Sequence, residues 1–282
     1  MPTTLIIGGS GKVARHLTRL LSNPPPGAAS TQVHPPVAHT VYSIIRDASQ
    51  SDALTALGAI PLVQSIESAS VADLAATMRR VQPDFVVWAA GAGAGAPPER
   101  TLAVDRDGAI KVMDALAAAA DAEAADAAGA PTGGLAARRL LLVSAVDVRD
   151  RATRPVPTWY TPADTALSER MWGVIGHYMQ AKLAADRELR AGNARRRLAY
   201  TIVRPGGLGE GAGAGRVRAG HVGVVGMIPR EDVASAVVAC MNEPRTVGLA
   251  IDFIGDGAGG ADIVQAVERV ASEREDSFEG YY

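Results

Sequence analysis

The stretch Thr4-Leu-Ile-Ile-Gly-Gly-Ser-Gly-Lys-Val-Ala14 decides the fold. Thr4–Ile7 is a short apolar run of strand type, and Lys12–Leu21 carries apolar residues at Val13, Leu17, Leu20 and Leu21, a helical spacing. Between them Gly8 permits a sharp strand-to-helix turn, Gly11 leaves room for a pyrophosphate against the backbone, and Ala14 lets the helix pack closely on the strand. The helix N-terminus then offers free N–H groups and a partial positive charge. A strand before the glycines and a helix after them is the context that makes such a turn a dinucleotide loop. Gly8, Gly9, Ser10, Gly11, Lys12 and Val13 are therefore the candidate phosphate-side residues. A Walker-type loop is excluded: Val13 stands where it needs Ser or Thr, and the four-residue gap between glycines is missing.

Outward from this loop, short apolar runs alternate with Ala/Leu-rich helical stretches. Strands are predicted at 40–45, 60–64, 84–89, 140–144, 199–203 and 249–254. Helices are predicted at 51–57, 71–80, 100–128, 165–191, 230–241 and 261–271. This alternation implies βαβ units, hence an α/β protein with a doubly wound parallel sheet of Rossmann type and small C-terminal substrate-side segments. Residues 1–282 read as one domain, with inserted segments at about 149–176 and 206–229. The Pro-rich stretch 23–38 reads as a surface loop, 117–134 as a helix extension with a flexible end, and 206–220 as a Gly-rich loop.

Composition narrows the partners. The formal charge of −2 gives no basic field for nucleic acid, and aromatics at 4% give no base-stacking surface. Hydrophobic residues at 48% suffice for a large core of Ala, Val, Leu and Ile. One cysteine, Cys240, excludes a disulfide framework or a multi-cysteine zinc site, and the five histidines show no metal-ligand spacing, so no metal is expected. Cys240 reads as a buried, inert thiol, Arg195–Arg197 as a solvated turn and 276–282 as a frayed end. No signal peptide or membrane span is evident, so a cytoplasmic protein is expected, acting on a small molecule as monomer or homodimer.

The second predicted strand ends Ile44-Ile45-Arg46-Asp47, where such folds meet the adenosine ribose. Arg46 suits a 2′-phosphate through its planar fork, and Lys12 adds a second cation, favouring NADP. Alternatively Asp47 binds a free ribose hydroxyl and the cofactor is NAD. Ser65, Ile66 and Glu67 lie where the adenine would rest, and Ala89, Ala90 and Gly91 form a small-residue strand end over which a cofactor can lie.

The helix after the fifth strand carries Tyr178 and Lys182, one turn apart on one face. A lysine beside a phenol favours the phenolate and lowers its pKa, giving an acid/base for a carbonyl or alcohol. Ser144, ending the preceding strand, can reach the same oxygen. Equally, Tyr178 can simply pack its ring at the helix surface.

With the glycine loop, Ile45-Arg46-Asp47, Trp88-Ala89-Ala90-Gly91, Val104–Ala109, Leu142–Ala145, Tyr178 with Lys182, Thr201–Leu208 and Ile228–Ala234 in this order, the chain resembles the atypical short-chain dehydrogenases/reductases, of NmrA-like or biliverdin reductase B-like type. The resemblance spans nearly the whole chain. It implies a nicotinamide near Ser144, Lys182, Pro205, Gly206, Gly207 and Leu208. It also implies catalysis by Ser144, Tyr178 and Lys182: Tyr178 donates the proton, Lys182 holds the ribose, and Ser144 orients the substrate oxygen. The expected activity is NADPH-linked hydride transfer to a small carbonyl or conjugated substrate. Two alternatives stand beside it, a non-catalytic NAD(P)-sensing regulator and an NAD-dependent epimerase or dehydratase.

Overall fold

The computed structural model describes residues 1–23, 37–93, 95–126, 138–255 and 259–278. The expected loop 23–38 and the end of the Ala tract therefore lie largely outside the described residues. Strand β1 (Thr3–Ile7) runs into the glycine turn and α1 (Lys12–Ser22), then β2 (Thr40–Ile45), α2 (Ser51–Thr55), β3 (Ala59–Val63), α3 (Val71–Val81) and β4 (Phe85–Trp88). The predicted long helix is three pieces: α4 (Pro98–Thr101), a wide π-helical stretch Leu102–Gly108, and α5 (Ala109–Asp126). There follow β5 (Arg139–Val143), α6 (Pro162–Ala191), α7 (Asn193–Arg196) and β6 (Ala199–Pro205). The C-terminal part is β7 (Gly207–Gly209), β8 (Arg216–Ala219), β9 (Met227–Pro229), α8 (Arg230–Asn242), β10 (Ala250–Gly255), β11 (Ala261–Asp262) and α9 (Ile263–Glu273).

The main sheet has the order β11-β8-β10-β6-β5-β4-β1-β2-β3. From β3 to β10 every pairing is parallel, and β1 is the strand from which the order winds both ways. Side chains alternate across a strand, so a sheet covered on both faces needs apolar residues at every position. In β1, Ile6 packs with α1 and α8 on one face, and Leu5 and Ile7 pack with α3 and α5 on the other. The doubly wound sheet is thus as expected, apart from one edge. Within 206–220, read as a loop, β8 forms an antiparallel strand against β10, and β7 pairs with β9 in a separate two-stranded ladder. The glycines there hid short strands whose pairing is tertiary.

Two polar readings are corrected. Arg196 is no solvated residue: its side chain is buried and pairs with Asp114 and Glu188. Nor is the end frayed as far as it is described: Phe278 is buried, and the guanidinium groups of Arg190 and Arg204 each lie 5.2 Å from its ring centre.

Candidate functional site

The glycine turn is held by backbone geometry. Gly8 has φ +82°, and a Cβ there would lie 2.5 Å from Ala90 Cα; one on Gly9 would lie 2.5 Å from Ser43 Cβ. In sequence terms Gly8 serves the turn alone, but it also lets β1 and the end of β4 approach. Gly11 caps α1, which has no side-chain cap and no acidic residue in its first turn, whereas α3 and α6 each carry a complete capping box. The α1 N–H groups are thus left to an outside anion.

A cleft of about 250 Å³ opens over this turn. Gly8, Ser10, Gly11, Arg46, Ser65 and Ile66 line it, with Ala89, Ala90 and Gly91 at the strand end. These are nine of the expected cofactor residues. Gly9, Lys12 and Val13 do not line it. Lys12, expected as a phosphate cation, pairs instead with Glu210 at 2.7 Å in a neighbouring basic depression. Pro205, Gly206, Gly207 and Leu208 also lie off the cleft walls, because the chain is drawn into the β7–β9 ladder and Gly206 closes on Ile254.

Where the adenosine was expected, Arg46 and Arg100 flank Glu67 at 3.5 and 3.7 Å. Arg100 and Glu67 both line the cleft; Glu67 belongs to the expected adenine segment, whereas Arg100 was not singled out from sequence. Asp47, the alternative ribose ligand, caps the following turn by accepting from the Ser49 N–H and is not part of the cleft wall.

The expected catalytic residues sit behind the β4 edge. Helix α6 begins at a Thr161–Asp164 capping box and bends at Ile175, where φ is −120° and ψ 26°. After that bend, Tyr178 and Lys182 share a face, with the amine 5.6 Å from the ring centre. Lys182 is buried; its Nζ lies 3.1 Å from Asp105 Oδ1 and donates to the Val143 carbonyl at 3.2 Å. Asp105 in turn accepts from the Ala92 N–H through Oδ2, which ties the lysine to the edge of the cleft. The π-helical stretch places Asp105 there. Its only sequence signal was its position inside the family-like Val104–Ala109 segment.

The expected electrostatics change. Burial pushes the Tyr178 phenol above its ordinary value; Lys182 lowers it, but by less, while Asp105 and Asp186 raise it further. Lys182 is held above its ordinary value, because Tyr178 and Asp105 outweigh burial. Ser144 is buried and donates to Asp186 Oδ2 at 2.9 Å, so its proton is not free to orient a substrate oxygen as expected. Burial pushes the Asp186 carboxyl up to about 6. His177 stays exposed. Cys240 is buried, and burial pushes its thiol up to about 12, in keeping with an inert group.

A family model described as NAD(P)H-binding matches residues 8–244. A Schizosaccharomyces pombe protein named UPF0659 protein C216.03 is 32% identical over 99% of this chain and 98% of its own. The Bacillus subtilis protein named "uncharacterized sugar epimerase YhfK" is 28% identical over 94% of this chain and 98% of its own. Among solved structures, a Bacillus halodurans protein described as a candidate NAD-dependent epimerase/dehydratase superposes with a TM-score of 0.68 at 26% identity, covering 95% of this chain and 100% of that one. The chain belongs to the NAD(P)H-binding family of atypical short-chain dehydrogenase/reductase type. No helix among the described residues is long and apolar enough to cross a membrane.

Proposed function

We propose that the protein is an NADPH-linked oxidoreductase that reduces a small carbonyl or conjugated substrate, with Tyr178 as proton donor. The observation that carries this reading is the run from half-buried Tyr178 to buried Lys182 and Asp105, against the cleft edge at Ala92. A lysine ammonium has three donors. Asp105 and the Val143 carbonyl occupy two, and the third remains for a ribose hydroxyl. A phenol held above its ordinary value keeps its proton at neutral pH, which suits donation to an oxygen gaining negative charge. The bound dinucleotide would supply the hydride. Ser144 acts through Asp186 as a positioning residue.

The preference for NADPH rests on Arg46 and Arg100 at the adenosine end, with Asp47 turned to its own backbone. A 2′-phosphate would take the place of Glu67 between the two guanidinium groups.

Titration with NADPH and NADH, followed by a screen of aldehydes and enones, tests both parts. Expected are tighter NADPH binding that Arg46→Ala abolishes, and turnover that Tyr178→Phe removes while NADPH still binds. Equal affinity for both dinucleotides would end the cofactor assignment. The second reading, an epimerase, draws on the names of the Bacillus relatives. It uses the same Tyr178 and Lys182 but regenerates its dinucleotide, so it predicts substrate conversion without net NADPH consumption.

A further inference from the structure

The turn that follows β3 is held from a distant helix. Its Ala69 N–H donates to the Ser65 carbonyl at 2.8 Å, which closes the turn and leaves the carbonyls of Ile66, Glu67 and Ala69 to other donors. One side chain serves all three. Lys111, on α5, directs its Nζ to the Ile66 carbonyl at 2.8 Å, the Ala69 carbonyl at 2.7 Å and the Glu67 carbonyl at 3.3 Å. A lysine ammonium has three donors, so this turn takes its whole capacity. Hydrogen bonds from a charged donor are roughly twice as strong as neutral ones.

The same helical stretch also comes close to the turn. A Cβ on Gly108, three residues before Lys111, would lie 3.5 Å from Ile66 Cδ1 and 3.1 Å from the Trp88 ring. Residues three apart on a helix share a face, so the approach at Gly108 and the donors of Lys111 meet the turn together. At its start the turn is tied to β2, where the Gln64 N–H donates to the Ile45 carbonyl. At its end it runs into the Ser70–Asp73 capping box of α3. Lys111 grips the carbonyls between those two ties.

What the turn carries gives this grip a purpose. Ser65, Ile66 and Glu67 line the dinucleotide cleft, while Lys111 does not and stands behind its wall. The Glu67 carboxylate lies between Arg46 and Arg100, so the place of its backbone governs how those two guanidinium groups are spaced. We propose that Lys111 is a positioning residue for cofactor selection: it fixes the turn 65–69 so that the adenosine finds its seat and its 2′-phosphate finds Arg46 and Arg100 at the right separation. The inference rests on the placement of the adenosine proposed above.

Adenosine 2′,5′-bisphosphate and adenosine 5′-phosphate, each titrated calorimetrically into the full chain, test it without turnover. Lys111→Met keeps an unbranched apolar stem and removes the donors. It is expected to bind the bisphosphate at least about tenfold more weakly than wild type, with a smaller preference for it over the monophosphate. Lys111→Arg keeps the charge, but its planar fork does not reproduce three donors on one nitrogen, and an intermediate loss is expected. A role in stability alone would lower the melting temperature of Lys111→Met and leave both affinities and their ratio unchanged; that result overturns the proposal. Should Lys111→Met fail to fold, wild-type affinity and ratio in Lys111→Arg overturn it instead. Arg46→Ala separates this inference from the cofactor reading. Bisphosphate binding lost in Arg46→Ala yet intact in Lys111→Met refutes the role of Lys111 alone. Bisphosphate binding untouched by either substitution removes the adenosine from this turn, and the role of Lys111 with it.

Discussion

Lys182 Nζ lies 3.1 Å from Asp105 Oδ1, and both side chains are almost wholly buried. Removing one member of such a pair leaves an uncompensated charge in the interior, at a cost of about 3–5 kcal/mol. Asp105→Ala also strips the Ala92 N–H of its acceptor at the cleft edge. The expected outcome is a lower urea midpoint with an unchanged slope, together with weaker dinucleotide binding. Asp105→Asn keeps an acceptor for Ala92 and should bind dinucleotide better than Asp105→Ala. Equal stability of Asp105→Ala and wild type would mean that the pair is not closed in solution.

Glycines in this chain do opposite things, and two alanine substitutions separate them. At Gly8 a Cβ would meet the Ala90 backbone at 2.5 Å with φ at +82°, so neither the neighbour nor the turn can yield. Gly8→Ala should lose more than about 1 kcal/mol of stability and the dinucleotide site with it. Gly173, within α6, has an ordinary φ, and a methyl group placed on it would meet no atom within 4 Å. Gly173→Ala should raise stability by about 0.5–1 kcal/mol through helix propensity, seen as a higher melting temperature.

That contrast shows what sequence could and could not convey. The dinucleotide loop was legible because a local turn enforces it: Gly8 and Gly11 lie within one short stretch, and neighbouring residues decide their conformation. The doubly wound order was legible because periodicity marks each strand and helix. Asp105 and Arg100 were not singled out, because their importance depends on Lys182 and Glu67, residues distant in the chain. Ser144 looked free to reach a substrate because its partner, Asp186, lies 42 residues away on α6. The small strands β7, β8 and β9 carry no periodic pattern long enough to read, and they form through pairing with the sheet edge and each other.

Tyr178 sets an alkaline expectation for the proposed reduction. A proton donor fails when it ionises, and burial, stronger than the pull of Lys182, places that event above the ordinary phenol value. The rate of carbonyl reduction should therefore show no loss from Tyr178 up to about pH 10. A pH profile of kcat/KM for the wild type tests this. An alkaline limb near pH 8 would mean that Lys182 dominates after all.

Asp186 and Asp252 make an unusual contribution to pH-dependent stability. Both have an ordinary value of 3.8, and burial pushes them in the folded protein to about 6 and about 7. Between those limits the folded chain holds more protons than the unfolded one, so stability falls as pH rises. Their stabilising contribution is fully present below the unfolded value and is lost as pH climbs through about 6 and about 7. Carboxyls held low, such as Asp164 under hydrogen bonds from Thr161, Val224 and Val225, act in the opposite direction but only near and below their ordinary value, outside the range from pH 5 to pH 8. Comparison with Asp252→Asn cancels those shared groups, since asparagine cannot ionise. From pH 5 to pH 8 the wild type should lose stability relative to Asp252→Asn in urea titrations, whatever the absolute difference caused by the facing Arg204. Parallel stability curves for the two proteins across that range would show that Asp252 titrates alike in the folded and unfolded chains.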